Sequence, residues 1–223
     1  MSVNIVKYTP IISVIIPTFN QAKFLGRCLR SILDQNVDKN EYEIIVINDG
    51  SKDQTSKVLK IYEKEVITIE NKKNKGLPYS INRGIKKAKG RFVVRLDSDD
   101  YVNTNFLYIL KIFLIENTSI DAVSCDYFIV NDQEEILSRR NSAKDPIGCG
   151  IMFRLEQLIN LGLYDENFLV HEDKDLRLRF NEKYKVFRIP LPLYRYRKHQ
   201  NNITNDLKKM KSHYKKLKRK HKI

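Results

Sequence analysis

Residues 11–35, IISVIIPTFNQAKFLGRCLRSILDQ, decide the fold class of this chain. Residues 11–19 are β-branched and almost continuously apolar, which is typical of a strand that is buried on both faces of a sheet. A helix is predicted to follow, with Asn20 as its N-cap and with apolar residues at helical spacing. Those apolar residues are Phe24, Leu25, Cys28, Leu29, Ile32 and Leu33. The segment is therefore a β-α unit, which is the building block of α/β proteins.

The same alternation of strand and helix continues to about residue 131. A second buried strand, YEIIVIND, precedes Ser51 and Gln54, which have the spacing of a capping box that opens a helix. Further strands are predicted at 66–71, 91–97 and 121–131, and further helices at 77–90 and 105–117. We therefore expect an α/β fold with a mainly parallel, doubly wound, Rossmann-like sheet flanked by helices.

The alternation breaks in the second half of the chain. Residues 131–154, NDQEEILSRRNSAKDPIGCGIMFR, are polar and turn-rich before they become apolar again. Helices are predicted at 155–168 and 172–184, and an extended segment restricted by prolines at 185–198. We expect this half to form a lid and acceptor region on the same domain.

The composition is that of one globular domain without a membrane span. The chain has 223 residues, of which 42% are hydrophobic, so it can bury a core. Its apolar runs are far shorter than the roughly 20 residues that cross a bilayer, and the first residues, MSVNIVKYTP, lack the pattern of a secretion signal. Cys28, Cys125 and Cys149 are odd in number and include no CxxC pair, so neither disulfides nor a zinc site are predicted. We expect a cytoplasmic protein.

The net charge of +14 is concentrated at the C-terminus, where residues 206–223 carry nine Lys or Arg and one Asp. This tail has a narrow apolar stripe at helical spacing, formed by Leu207, Met210, Tyr214 and Leu217. A basic amphipathic helix is typical of peripheral contact with an anionic surface, here the inner face of the membrane. The alternative is a solvated or disordered charged end. Nucleic acid is not expected as a partner, because the rest of the chain lacks a matching basic and aromatic pattern.

Polar residues follow three of the predicted strands at the points where those strands end. The carboxyl ends of parallel strands share one edge of a sheet, and ligands bind there in open α/β folds. Clustered carboxylates suit Mg²⁺ or Mn²⁺, which takes its remaining ligands from water and a substrate diphosphate. Neither GxxxxGK[ST] nor GxGxxG occurs, so no P-loop or dinucleotide-binding turn is predicted. The strand-end residues are Pro17, Thr18 and Asn20, then Asn48 and Asp49, then Asp97, Asp99 and Asp100.

Four motifs in this order are recognisable: ISVIIPTFN, VINDGSKDQT, NKGLPYSINRGIKKAKGRFVVRLDSDD and LVHEDKDLRLR. Over residues 11–199 the chain resembles the family 2 glycosyltransferases, which have the GT-A fold. The resemblance implies an inverting transferase that uses a nucleotide-activated sugar. We therefore expect one GT-A domain at 1–205, followed by the basic tail at 206–223. Within the domain, residues 11–131 are the nucleotide-sugar-binding half and residues 132–205 are the acceptor-side half.

The resemblance also implies where the nucleotide-sugar binds. In the family, the aspartate of the NDGS motif, here Asp49, contacts the nucleobase. The pocket is expected to include Pro17, Thr18, Asn20, Asn82, Asp97, Ser98, Asp99 and Glu172. Ile81 stands where many relatives have an arginine, so the cationic contact near the nucleotide is assigned instead to Lys75, Arg83 or Arg95. Arg95 precedes Asp97 by two residues on a strand, which places the two side chains on one face.

The resemblance also implies which residues bind the metal and which residue is the general base. The DSDD motif binds the metal that bridges the diphosphate, with Asp99 as first choice of ligand and Asp100 and His199 as further ligands. The metal is expected to be Mn²⁺ or Mg²⁺. Asp173 of the ED pair is the expected general base. His199 as a surface histidine, and Glu172 and Asp173 as ordinary acids at a helix start, are the alternative interpretations.

The expected reaction is a single displacement at the anomeric carbon. A metal stabilises the departing nucleoside diphosphate, UDP by default, while a carboxylate removes the proton of the acceptor hydroxyl. Two-step retention would need a second, nucleophilic carboxylate, for which the sequence has no separate candidate. A glycan or lipid-linked precursor of the cell surface is the expected acceptor. The alternatives are a sugar-1-phosphate nucleotidylyltransferase and a non-enzymatic module that binds polyanions or membranes. The first normally has a phosphate loop rich in glycine and in lysine or arginine after its first strand, and IPTFNQAKF has none.

Overall fold

The computed structural model describes residues 9–200 and 202–223. Residues 1–8, which include most of the segment examined for a secretion signal, and Asn201 lie outside the described part. The helices are α1 (Ala22–Leu33), α2 (Thr55–Ile61), α3 (Leu77–Lys87), α4 (Phe106–Glu116), α5 (Leu155–Leu161), α6 (Glu172–Asn181) and α7 (Leu207–His221). The strands are β1 (Ile12–Thr18), β2 (Tyr42–Asn48), β3 (Ile67–Glu70), β4 (Phe92–Arg95), β5 (Tyr101–Val102), β6 (Ala122–Val130), β7 (Ile136–Arg140), β8 (Ile151–Arg154) and β9 (Val186–Arg197).

These strands form one mixed sheet in the order β3-β2-β1-β4-β8-β6-β9-β5, with β7 paired to β6 at the side. The first four strands are parallel, as the alternation of strand and helix predicts. The second half differs, because β8 lies between β4 and β6 and is antiparallel to both. The prediction of an α/β sheet flanked by helices is confirmed, but the sheet is mixed: β6 and β9 form a second parallel pair, which the antiparallel β8 separates from the parallel strands of the N-terminal half.

Helices cover both faces of this sheet. Alternate residues of β1 point to opposite sides, so Ile12, Val14 and Ile16 join one apolar cluster and Ile15 joins the other. The first cluster contains buried residues of α1, α2 and α4, and the second contains those of α3, α5 and α6. Burial on both faces explains why the central strands are continuously apolar.

The loops after β1 and β2 hold each other, and this corrects two of the predicted caps. Helix α1 begins one residue later than predicted, with Gln21 as N-cap, while Asn20 has a φ of 53°. The side chain of Asn20 accepts a hydrogen bond from Lys52 N at 2.8 Å, and its own N–H donates to Ser51 Oγ at 3.0 Å. The amide of Ala22 donates to Asp53 Oδ2 at 3.0 Å. Ser51 therefore binds the neighbouring loop, and the predicted capping box does not form.

The basic tail forms helix α7, which docks on α6 and on the loop before it. Leu217 is buried, whereas Leu207 and Tyr214 are 69% and 43% exposed. Asp175 of α6 is fully buried. Its Oδ1 lies 2.6 Å from Lys220 Nζ and 2.8 Å from His221 Nε2. The apolar stripe of the tail is thus partly used for packing against the protein. No helix within 9–200 and 202–223 has the length and hydropathy to cross a membrane.

Gly84→Ala should destabilise the protein, because α3 lies directly on the sheet at this position. A Cβ at Gly84 would lie 2.5 Å from Ile15 Cγ2 and 2.7 Å from Ile47 Cδ1, and both isoleucines are fully buried. Overpacking of this kind costs about 1–3 kcal/mol, measurable as a lower urea midpoint. Gly26→Ala in α1 is the control, because its Cβ would meet nothing closer than 3.4 Å. Equal stability of the two variants would contradict this packing.

Asp175→Asn should release the C-terminal helix and remove a pH dependence. Burial alone would raise the pKa of Asp175, but hydrogen bonds from Lys220 and His221 outweigh it and lower the pKa. The carboxylate therefore stabilises the fold above the unfolded pKa of about 4, and this contribution is lost as the pH falls further. We expect the substitution to cost about 2 kcal/mol at pH 7, a fall in Tm of roughly 4–8 °C.

The difference in Tm between wild type and Asp175→Asn should narrow as the pH falls below about 4, because the wild-type carboxyl then becomes protonated as well. Thermal unfolding followed by circular dichroism between pH 3 and pH 7 measures it. Asp38→Asn, at an exposed turn, is the control. A difference that is independent of pH would show that the charge of Asp175 contributes nothing.

Candidate functional site

A cavity of about 570 Å³ lies at the carboxyl ends of β1, β2 and β4. Its position is the one that the sequence predicts for a ligand, because three neighbouring parallel strands end there. Six of the expected pocket residues line it: Pro17, Thr18, Asp49, Asp97, Ser98 and Asp99. The cavity therefore joins residues that lie far apart in the sequence.

Asp49 organises one wall of this cavity. Its Oδ1 accepts hydrogen bonds from Asn71 Nδ2 at 2.6 Å and Lys75 N at 2.9 Å, and its Oδ2 accepts one from Gly76 N at 2.9 Å. Gly76 has a φ of 97°, which is a backbone conformation that favours glycine. Asp49 thus holds the turn that precedes α3, and the cavity wall includes Lys75, Gly76 and Leu77.

Arg95 connects the DSDD motif with the ED motif. Its guanidinium donates to both carboxylate oxygens of Asp97, at 2.6 and 3.0 Å, and to Glu172 Oε1 at 2.9 Å. Burial alone would lower the pKa of Arg95, but Asp97 and Glu172 outweigh it and raise the pKa. Burial raises the pKa of Glu172, an effect that Arg95 only partly offsets. The predicted orientation of Arg95 toward Asp97 is confirmed.

Asp99 and His199 form the part of the site that is best suited to a metal ion. His199 Nε2 lies 2.9 Å from Asp99 Oδ2, and the histidine ring packs 4.8 Å from the ring of Phe24. A carboxylate oxygen with an imidazole nitrogen is a donor set that Mn²⁺ accepts. The residues present therefore fit the divalent metal that the resemblance implies.

Asp100 lies behind this pair and is only 2% exposed. Its Oδ2 accepts a hydrogen bond from Tyr194 Oη at 2.6 Å, and its Oδ1 accepts one from Arg197 N at 2.7 Å. Burial and the neighbouring Asp99 and Asp97 raise the pKa of Asp100. A ligand role for Asp100 stays a prediction.

A second group of possible ligand atoms is formed by Asp97, Asp100 and Cys149, which lie within 4.8 Å of one another. Both oxygens of Asp97 are occupied by Arg95. Burial, with Asp97 and Asp100 nearby, raises the pKa of the Cys149 thiol, so the soft thiolate is disfavoured. A thiol is not a donor that Mn²⁺ or Mg²⁺ prefers, so the pair of Asp99 and His199 is the better candidate for these ions.

Asp173 lies in the first turn of α6, directly after Glu172. A Cβ at Gly148 would lie 2.7 Å from Asp173 Cβ, so the loop before β8 runs close against this residue. Asp173 is partly exposed, whereas Glu172 is buried in its pair with Arg95. Of the two acids, Asp173 is therefore the one that a second substrate can reach.

Three residues expected in the pocket have other surroundings in the structure. Asn20 binds the loop after β2, and Glu172 lies beneath the cavity with Arg95. Asn82 binds the loop after α5, donating to Tyr164 O and Glu166 Oε1 at 2.9 Å. Among the three candidate cations, Lys75 and Arg95 line the cavity. Arg83 instead bonds Asn71 and the carbonyl of Glu70.

Several cavity residues were not found from the sequence. Phe19, Leu169 and Tyr196 are apolar or aromatic side chains without a motif, and Asn202, Ile203 and Lys209 come from the C-terminal segment. Phe19 directly follows a buried strand and is 41% exposed, and its position at the carboxyl end of the first predicted strand is the sequence feature that could have identified it. The others reach the cavity only through tertiary packing.

The family model described as "Glycosyl transferase family 2" matches residues 13–179. This chain belongs to glycosyltransferase family 2. A curated family relative, the uncharacterized glycosyltransferase EpsJ of Bacillus subtilis (strain 168), is 28% identical over 221 residues. The alignment covers 87% of this chain and 63% of EpsJ. The poly(ribitol-phosphate) beta-N-acetylglucosaminyltransferase TarS of Staphylococcus aureus (strain Mu50 / ATCC 700699) is 36% identical over 112 residues, covering 48% of this chain and 19% of TarS.

Solved structures show that this family 2 chain has the GT-A fold. S. aureus TarS 1-349 in complex with UDP-GlcNAc superposes with a TM-score of 0.75 at 23% identity, covering 87% of this chain and 60% of that one. The mannosyltransferase PcManGT from Pyrobaculum calidifontis, in complex with GDP-Man and Mn²⁺, has a TM-score of 0.75 at 18% identity and covers 96% and 64%. The chain thus spans less than two thirds of EpsJ and of both solved relatives.

Arg95→Lys should destabilise this family 2 chain although it keeps the charge. A lysine cannot bond both oxygens of Asp97 and also Glu172, so at least one buried carboxylate loses its partner. We expect a loss of about 2 kcal/mol or more in the free energy of unfolding, measured by urea denaturation. Arg91→Lys, at an exposed position directly before the same strand, should change it by less than about 0.5 kcal/mol. Equal urea midpoints for the two variants would rule out a structural role for the Arg95 pairs.

Proposed function

We propose that this chain is a glycosyltransferase that transfers a sugar from a nucleoside diphosphate donor to a hydroxyl group of a glycan or lipid-linked acceptor. The observation that carries the proposal is the cavity in which Asp49, Asp97 and Asp99 meet at the ends of three parallel strands. Its volume of about 570 Å³ suits a nucleotide-sugar. TarS was solved with UDP and with UDP-GlcNAc, and PcManGT with GDP-Man, which supports a donor of this class.

UDP is the nucleotide that we propose for the donor, because the TarS complexes contain it. The nucleoside would lie between the loop after β1 and the turn held by Asp49. Thr18 Oγ1 is buried there and has no hydrogen-bond partner among the described residues. A buried hydroxyl without a partner is costly, so a ligand group that bonds it gains affinity. Ser98 and Asp97 lie across the same cavity and are proposed to contact the ribose.

The divalent metal, Mn²⁺ or Mg²⁺, would be held by Asp99 and His199, with Asp100 as a further candidate. When bound, the metal supplies positive charge that offsets the charge developing on the departing diphosphate. The chain itself orients the two ligands. Phe24 packs against the ring of His199, and Arg197 donates to Asp99 O at 2.9 Å.

Asp173 is proposed as the general base. The acceptor oxygen forms a new bond to the anomeric carbon while the bond from that carbon to the diphosphate oxygen breaks, and the hydroxyl proton passes to the Asp173 carboxylate. Attack opposite to the leaving group inverts the anomeric carbon. Glu172 is buried against Arg95, so it serves to fix the start of α6 rather than to receive the proton. General base catalysis of this kind contributes typically 10²-fold to 10⁴-fold.

The C-terminal helix is proposed to bring the enzyme to an anionic membrane surface where a lipid-linked acceptor is found. Its outward residues, which include Lys211, Lys215 and Lys218, are exposed and basic. Part of its apolar stripe packs on the protein, so electrostatic attraction rather than insertion would dominate the contact. The contact should therefore weaken as the salt concentration rises.

Asp99→Ala and Asp173→Asn should separate donor binding from transfer. We expect UDP with Mn²⁺ to raise the Tm of wild type and of Asp173→Asn, since a ligand at 100 times its Kd stabilises by about 2.7 kcal/mol. Asp99→Ala should lose the part of this shift that depends on Mn²⁺. Sugar transfer from a UDP-sugar, followed as UDP release, should fall at least 100-fold in Asp173→Asn. The same measurement with GDP, CMP and dTDP, each with and without Mn²⁺, tests which nucleobase the donor carries.

Glu156→Gln, at an exposed surface position of α5, is the matched control for the change of charge. Normal turnover by Asp173→Asn would assign the base to another residue. A wild type that is stabilised by polyanions and by no nucleotide would favour the binding module instead. Formation of pyrophosphate from a sugar-1-phosphate and UTP would favour the nucleotidylyltransferase.

A further inference from the structure

The C-terminal segment forms part of the wall of the donor cavity. Asn202, Ile203 and Lys209 line it together with Asp97 and Asp99. These three residues lie after the end of the family match at residue 179, in the turn before α7 and in its first helical turn. The tail that the sequence predicts as a surface for membranes therefore also reaches the candidate active site.

Few cationic side chains at the cavity are available to bind a diphosphate. Arg95 is held between Asp97 and Glu172. Lys75 and Lys209 also line the cavity, and neither takes part in an ion pair within 4.0 Å among residues 9–200 and 202–223. The Nζ of Lys75 lies 5.9 Å from the ring centroid of Tyr79. A nucleoside diphosphate that enters this cavity brings negative charges beside Asp97 and Asp99, so it requires cations in addition to the metal.

The position of Lys209 is set by contacts on both sides of it. The side chain of Asp206 caps α7 by accepting a hydrogen bond from Lys209 N at 3.0 Å. The next residue, Met210, bonds through its carbonyl to His171 Nε2 at 3.1 Å. Further along the helix, Leu217 is buried and Lys220 pairs with Asp175. The first turn of α7 is therefore fixed against the loop that precedes α6, and Lys209 is half-buried at the cavity.

We propose that Lys209 binds the diphosphate of the donor, which makes the C-terminal helix part of the donor site. The inference rests on the proposed function, because it takes a nucleoside diphosphate as the ligand. A flexible ammonium group on the first turn of a docked helix can follow the phosphate charge during binding. The role differs from the predicted membrane contact, which uses the outward face of the same helix.

The test compares Lys209→Gln and Lys209→Arg with Lys208→Gln, which changes the neighbouring exposed lysine outside the cavity lining. UDP and UMP are titrated by calorimetry into each protein with Mn²⁺ present, at low and at high salt. We expect Lys209→Gln to bind UDP about tenfold more weakly. Lys209→Arg should retain most of the affinity, and Lys208→Gln should retain all of it. The loss should be smaller for UMP, which lacks the second phosphate.

The outcomes distinguish failure of the Lys209 role from failure of the proposed function. If wild type binds UDP and Lys209→Gln binds it as tightly as Lys208→Gln does, the role of Lys209 is refuted while the proposed function stands. If wild type binds neither UDP in this titration nor any nucleotide in the thermal-shift experiment, both are refuted. The Tm of each apoprotein shows whether α7 remains docked. An equal loss for UDP and UMP, or a loss that Lys209→Arg does not restore, would show that the substitution disturbs the wall rather than a phosphate contact.

Discussion

The buried guanidinium of Arg95 is the interaction on which the candidate site depends. A charge without access to water must be paired, and Arg95 is paired on two sides, by Asp97 at the end of β4 and by Glu172 at the start of α6. These acids belong to two motifs that are far apart in the sequence. Because the planar guanidinium of Arg95 bonds both acids, it fixes the position of the end of β4 relative to the start of α6, the helix that carries Asp173. The DSDD and ED motifs are therefore held together as one hydrogen-bonded unit.

Much of the N-terminal half could be predicted from sequence because its signals are local. The strands β1 and β2 are buried on both faces and are apolar runs in the sequence, and the helix between them, α1, shows its periodicity directly. Parallel strands then bring Asp49, Asp97 and Asp99 to one edge without any further information. The spacing of two residues indicates that Arg95 and Asp97 face the same side, although Asp97 lies just beyond the end of β4.

Other parts could not be predicted because they depend on contacts between distant segments. Strand β8 is inserted between β4 and β6, and nothing in its four residues indicates its partners. Asp53 caps α1 from a different loop, so a search for caps next to the helix cannot find it. Asn82 and Asp100 resemble site residues by type, yet their side chains bond protein groups. Lys209 reaches the cavity only because α7 docks on α6.

The mutual bonds between the loops after β1 and β2 constrain how this part of the protein can evolve. Asn20 donates to Ser51 and accepts from Lys52, and Ala22 donates to Asp53, so each loop supplies partners for the backbone of the other. Insertion of one residue in either loop would shift the amides of Asn20, Ala22 or Lys52 relative to their acceptors. The two loop lengths are thus coupled. Variation in length is easier in loops without such partners.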